Sequence, residues 1–209
     1  MLFRSVIGID LAPSYIERAK ERNVNPKITF LEGDAYNLPF EDATFDRVFS
    51  FLVLHFVPDP GKAIEEMKRK TKSGGVAAAA VWDVRGGLVF NRMFFDTAAA
   101  VLPQAVERRK GNYTRPMTRP GELATAWRAA GFESIEEELL TIRMDYESFA
   151  DYWAPFEGQD GPGAALMAEL SPDERTLLKE KVQLAYLDGE QDGSRSYVAT
   201  AWAVKGTAP

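Results

Sequence analysis

The chain has 209 residues and a mass of 23.3 kDa, enough for one large domain or a domain with an insertion. Hydrophobic residues make up 45% and charged residues 27%, the balance of a globular chain. With no cysteine and a single histidine, His55, disulfides, thiol catalysis, iron–sulfur clusters and zinc sites built on Cys or His are excluded. The net charge of −6 and pI of about 5.0 argue against a general nucleic-acid binder. No apolar run reaches the roughly 18–20 residues of a membrane span. Met1–Ser5 does not read as a signal peptide, because Asp10 soon interrupts the apolar stretch. The expectation is a cytoplasmic protein with no bound metal, no membrane and no nucleic-acid partner.

In chain order, Val6-Ile7-Gly8-Ile9 reads as a short buried strand ended by Asp10. Pro13 opens a helix where its missing N–H costs nothing, Ile16 and Ala19 continue the inner face, and Asn23 ends it. Ile28–Leu31 is a second strand stopped by Gly33-Asp34, and Asp46–Leu54 a third. The near-continuous apolar character of the third strand predicts cover on both faces. Asp59-Pro60 is an N-cap and first-turn pair for a helix carrying Ile64 and Met67 inward. The basic run Lys68, Arg69, Lys70 and Lys72 reads as complementing the C-terminal end of that helix's dipole. Val76–Trp82 is a fourth strand, and its four alanines predict a close helix neighbour.

Beyond Gly86-Gly87, a mostly apolar helix is expected around Leu88–Leu102 and another over Pro120–Ala130, closed by Gly131. Glu133–Arg143 and Ser196–Val204 read as strands. Between them Tyr146, Phe149, Tyr152, Trp153 and Phe156 form an aromatic cluster, followed by a break at Gly161-Pro162-Gly163. Ser171-Pro172-Asp173-Glu174 is a capping box opening a helix to about Leu187. The alternation of strand and helix predicts a parallel α/β sheet. The domain expectation is a core over 1–144 and 190–209 with a helical, aromatic-rich lid over 145–189.

The chemistry-bearing residues form an ordered series. Asp10 stands where the first strand runs out, and Gly33-Asp34-Ala35 follows the second, with Leu38-Pro39-Phe40 close behind. Phe45-Asp46, Val53-Leu54-His55-Phe56, Pro58-Asp59-Pro60 and Lys72-Ser73-Gly74-Gly75 complete it. This series resembles the class I S-adenosylmethionine-dependent methyltransferases, in the branch acting on small molecules such as quinones and sterols. The resemblance implies a Rossmann-like methyltransferase fold, α/β with a mostly parallel sheet and an antiparallel last strand. It implies S-adenosylmethionine as cofactor and a small-molecule methyl acceptor. Asp10 would accept hydrogen bonds from the ribose hydroxyls, with capping of the following helix as the alternative. Asp34 would accept the adenine amino group and the Ala35 N–H would meet a ring nitrogen; the alternative is an aspartate bonding its own turn. Leu11 would pack on the nucleoside, and Ser50 and Phe51 would lie near the methionine end. Trp82, Asp83, Tyr113, Arg115, Tyr152 and Trp153 are the expected acceptor pocket, and plain packing is the alternative for the aromatic residues. His55 is the candidate base, with a packing role beside it.

Two further expectations follow from the resemblance. The family pattern places a strand, a glycine-rich turn and a helix before the residues seen here, with that strand central in the sheet. Its loss would leave about 9–10 Å where hydrogen bonding needs ~4.8 Å. Three resolutions are open: an incomplete version of a longer protein, a sheet that closes by joining Val6–Ile9 to Asp46–Leu54, or a strand donated by another chain, as in a homodimer. The competing functions are a non-catalytic homologue acting as a binding subunit and a nicotinamide-dependent oxidoreductase. Against the latter, no Tyr-x-x-x-Lys pair occurs: Met117 lies four after Tyr113, and Ala19 four after Tyr15.

Overall fold

The computed structural model describes residues 4–158 and 161–209, so Met1–Phe3 of the opening segment lie outside the described residues. β1 (Val6–Asp10), α1 (Pro13–Arg22) and β2 (Ile28–Glu32) form a compact unit in which the two strands pair in parallel, Val6 opposite Ile28 and Asp10 opposite Glu32. Proline at the first turn and a β-region Ala12 before it start α1, whose one buried residue is Ile16. Gly33 at the end of β2 lets the chain pass close to β1, since a Cβ there would sit 2.8 Å from Ile9 Cγ2.

A second, four-stranded sheet has the order β3–β4–β6–β5. It comprises β3 (Phe45–Phe51), β4 (Thr71–Trp82), β5 (Glu133–Tyr146) and β6 (Arg195–Thr207). β3 and β4 pair in parallel, and β6 is antiparallel to both β4 and β5. β3, β4 and β5 therefore share one direction and the last strand alone is reversed, as expected of this α/β fold. Among the described residues neither β1 nor β2 hydrogen-bonds β3, so the sheet does not close by joining the first strand to the third.

α2 (Pro60–Lys70) and α5 (Glu122–Ala129) cover one face of the larger sheet. Ala77, Ala79 and Val81 point to that side, where they meet Ile64, Met67, Leu123 and the fully buried Trp127. The small alanine side chains let the indole come close enough for its Nε1–H to donate to the Ala77 carbonyl at 3.3 Å. The opposite face corrects the expectation for β3. Phe49 and Phe51 are 67% and 76% exposed, because no described element packs over them. With Ala78, Ala80, Ala203 and Glu138 they line an open groove of about 350 Å³.

The remaining helices are α3 (Val89–Val101), α4 (Ala105–Tyr113), α6 (Phe149–Trp153), α7 (Pro162–Glu169) and α8 (Pro172–Leu187), with a 3-10 turn at Ala154–Glu157. They build a second core with Val84, Leu88 and Ala199 at the sheet's end. Within 145–189 the described residues form α6, the 3-10 turn, α7 and α8, which share this core with α3 and α4. Phe94 stacks on Phe156 at 4.0 Å, and Phe149, Tyr152 and Tyr186 surround one another. The capping box is present, with the Ser171 and Glu174 side chains each bonding the other's backbone N–H.

Candidate functional site

Parallel pairing of β1 and β2 brings the carboxyl ends of two strands side by side, where ligands bind in open α/β sheets. Asp10 is the last residue of β1, and Asp34 follows β2 by two residues. Each spends one oxygen on its own turn: Asp10 Oδ1 accepts from the Ala12 N–H at 2.8 Å, and Asp34 Oδ1 from the Tyr36 N–H at 2.9 Å. The second oxygen of each has no partner among the described residues, so a carboxylate already oriented by its turn has acceptor capacity left. Leu11, 75% exposed, stands beside them. This set fits the nucleoside end of S-adenosylmethionine: two fixed acceptors and an apolar side chain.

The segment after β2 is tied to the larger sheet. The Leu38 N–H donates to Glu66 Oε1 at 2.8 Å, the buried Lys70 ammonium donates to the Phe40 carbonyl, and the Asp59 N–H donates to the Tyr36 hydroxyl at 2.8 Å. Ala35 packs at the edge of the core under α2. Ser50 and Phe51, expected near the methionine end, lie on β3 opposite Ala79 and Ala80 and line the open groove. The structure thus puts them on a different sheet from Asp10 and Leu11.

At the tip of β3 the backbone is constrained. Leu52 adopts φ 60°, a left-handed conformation costing a branched side chain about 1–2 kcal/mol, while its N–H still donates to the Ala80 carbonyl. Three residues on, His55 is 1% exposed and neither ring nitrogen has a hydrogen-bond partner. Leaving such groups unsatisfied costs about 1–3 kcal/mol each. Burial, reinforced by the nearby Arg115 charge, pushes the imidazole down to about 4. His55 is therefore neutral at pH 7. Its ring lies 4.1 Å from that of Phe56, and the Arg115 guanidinium lies 4.5 Å over the same Phe56 ring. Phe56 stood in the sequence series beside His55 but was given no role there; an aromatic directly after the one histidine at a strand tip was the available signal.

Arg115 is half-buried, its Nε has no partner, and burial pulls its ionisation down. Tyr113 is a buried side chain with an unpartnered hydroxyl that burial pushes up, and it lies under the Arg92 and Arg109 guanidiniums at 4.7 and 5.3 Å. Asp83 closes the turn after β4 by accepting from the Arg85 and Gly86 N–H groups, both at 3.1 Å. Trp82 packs against the second core. Tyr152 and Trp153, both 1% exposed, are core side chains in this structure. The Tyr152 hydroxyl donates to the Phe90 carbonyl, and the Trp153 Nε1–H donates to Glu157. One edge of Trp153 borders a cavity of about 500 Å³ shared with Phe156, Met167 and Lys179, away from β1 and β2. Packing accounts for this pair.

Residues 1–79 match the methyltransferase-domain family. The chain is 34% identical over 157 residues to erythromycin 3''-O-methyltransferase of Saccharopolyspora erythraea, covering 71% of this chain and 49% of that protein. It is 41% identical over 73 residues to 2-methyl-6-phytyl-1,4-hydroquinone methyltransferase 2 of Oryza sativa subsp. japonica, covering 35% of this chain and 21% of that protein. The chain spans about half or less of the length of these relatives. Phosphoethanolamine N-methyltransferase 2 of Haemonchus contortus, solved with S-adenosylmethionine, superposes with a TM-score of 0.55 at 20% identity, over 98% of this chain and 43% of that one. A protein of Bacillus halodurans C-125 superposes with a TM-score of 0.59 at 18% identity, over 98% and 83% of the two chains. At these identities the structural likeness is one of fold.

Proposed function

We propose that this chain, whose first 79 residues fall in the methyltransferase-domain family and whose fold is the Rossmann-like methyltransferase fold, serves methyl transfer from S-adenosylmethionine to a small organic acceptor. The observation that carries the reading is the pair Asp10 and Asp34. They stand at the ends of adjacent parallel strands, each with one oxygen fixed by its turn and one left to accept. Asp10 would hold the ribose hydroxyls and Asp34 the adenine amino group, with Leu11 against the nucleoside. The cofactor supplies an already activated methyl group on a sulfonium, so the protein's task is chiefly alignment and exclusion of water. His55, neutral at pH 7, serves such a site as a hydrogen-bond partner for the acceptor. The relatives act, by their names, on erythromycin and on 2-methyl-6-phytyl-1,4-hydroquinone, which supports an acceptor of small-molecule size.

A second reading, a binding subunit without turnover, is favoured by one observation. Asp10 ends a strand of the two-stranded sheet, with Leu11 directly after it, while Ser50 and Phe51 sit on the other, and among the described residues no hydrogen bond joins β1 to β3. Calorimetry with S-adenosylhomocysteine tests the cofactor site. Micromolar binding that weakens about 10-fold or more in Asp10→Ala is expected, as for loss of one charge-assisted bond of about 1.5–3 kcal/mol. An unchanged affinity in that variant would remove Asp10 from the site, and no binding to the parent chain would overturn the proposal.

A further inference from the structure

We propose that Arg115 and His55, bracketing the exposed edge of Phe56, form a recognition point for the anionic oxygen of a small organic acid with an apolar body. The site is built from two loops. One leaves β3 and carries Leu52, Val53, His55 and Phe56; the other follows α4 and carries Arg115 and Met117. Val57 from the first loop and Met117 from the second pack against the same core, which fixes the two loops relative to each other. Each holds a non-glycine residue in left-handed backbone, Leu52 at φ 60° and Met117 at φ 64°, and such strain collects at sites of function.

The charges are unbalanced. Arg115 pairs with no carboxylate among the described residues, although Arg92 and Arg109, one helix away, share Asp96. A half-buried guanidinium beside a neutral imidazole with two idle nitrogens lacks a counter-ion and hydrogen-bond partners together. A carboxylate or phenolate supplies both: one oxygen takes the guanidinium edge, and the imidazole N–H donates to it. The apolar requirement comes from what surrounds the charge. Phe56 is 49% exposed and Val53, on the same loop, 39%, so the histidine loop presents an apolar apron beside the charge. Phe56 is also the cover over His55, so a ligand that reaches the imidazole must turn this ring outward or stack on it. An inorganic anion would leave the apron wet; a neutral aromatic would leave Arg115 unpaired.

The acid's being the methyl acceptor rests on the methyltransferase reading, whereas its binding does not. The chain's one histidine makes the test direct, because the imidazole C–H signals in a proton NMR spectrum come from His55 alone. Benzoate at pH 7 is expected to shift those signals saturably in the millimolar range, with benzamide and inorganic phosphate at least 10-fold weaker. Arg115→Gln is expected to abolish the benzoate response, and Arg115→Lys to retain part of it. The benzamide comparison uses the unaltered chain and stands even where a variant fails to fold. Equal responses to benzoate and benzamide, no saturable shift, or an undiminished response in a folded Arg115→Gln would overturn the site. Loss of S-adenosylhomocysteine binding alongside an intact benzoate response would count against the methyltransferase reading and uphold the anion site.

Discussion

A neutral imidazole buried without partners makes His55 a sensor of acid. Folding lowers its ionisation to about 4 from the 6.5 of the free side chain. Between those values the unfolded chain binds a proton that the folded one does not, so stability is complete above pH 6.5 and declines as pH falls toward 4. The shift corresponds to about 3 kcal/mol at 1.36 kcal/mol per unit. On urea unfolding, the stability difference between His55→Leu and the parent chain should therefore move in the variant's favour by about 2–3 kcal/mol between pH 7 and pH 4.5. Parallel curves would mean that the ring is solvated. At the same scale, His55 stood out as the one histidine and Asp10 and Asp34 by their places at strand ends, whereas Arg115 entered through the resemblance alone. Tyr152 and Trp153 came out differently. An aromatic at helical spacing faces core or ligand according to what packs on it, and here Phe94, Phe149 and Tyr186 do.

The end of α2 shows what a pattern of charges conceals. Lys68, Arg69, Lys70 and Lys72 read from sequence as a complement to the C-terminal end of the helix dipole. In the fold, Lys70 is 1% exposed and reaches the Phe40 carbonyl, Arg69 grips Glu66, and Lys72 pairs with Asp46 on β3 at 2.9 Å. These side chains staple the 38–46 segment onto α2 and β4, which carries the loop after β2 toward the tip of β3. Glu66, 6% exposed, is the hub, accepting from the Leu38 N–H and from Arg69. Glu66→Ala would leave Lys70 with Asp42 as its one remaining carboxylate among the described residues, and should cost about 3 kcal/mol, as for breaking a buried pair. Equilibrium unfolding measures this, and a loss below about 1 kcal/mol would place the network in water. The elements were legible where caps and periodicity announce them: Pro13, Asp59 and the Ser171 box each start a helix as expected. β4 begins five residues before Val76, at Thr71, because Thr71 pairs with Phe45 of β3 and Gly74 and Gly75 exchange backbone hydrogen bonds with Ala208 just past β6, and no local signal records such partners.

For the whole molecule, the parallel direction of the early strands followed from alternation with helices, whereas the reversed last strand was implied by the resemblance alone and the division into two sheets depends on contacts no periodicity encodes. Phe49 illustrates the limit. Its place in an apolar run implies burial, yet the run says nothing of what lies above it, and nothing described does. Such a strand stands at the margin of the four-stranded sheet with two exposed aromatic rings on its open face, the kind of margin on which neighbouring molecules can assemble into fibrils. Turbidity and thioflavin fluorescence should accordingly rise with protein concentration, and Phe49→Lys, planting a charge on that margin, should delay both without lowering the melting temperature. The rim of β3 would then set the working concentration of this protein before its chemistry does.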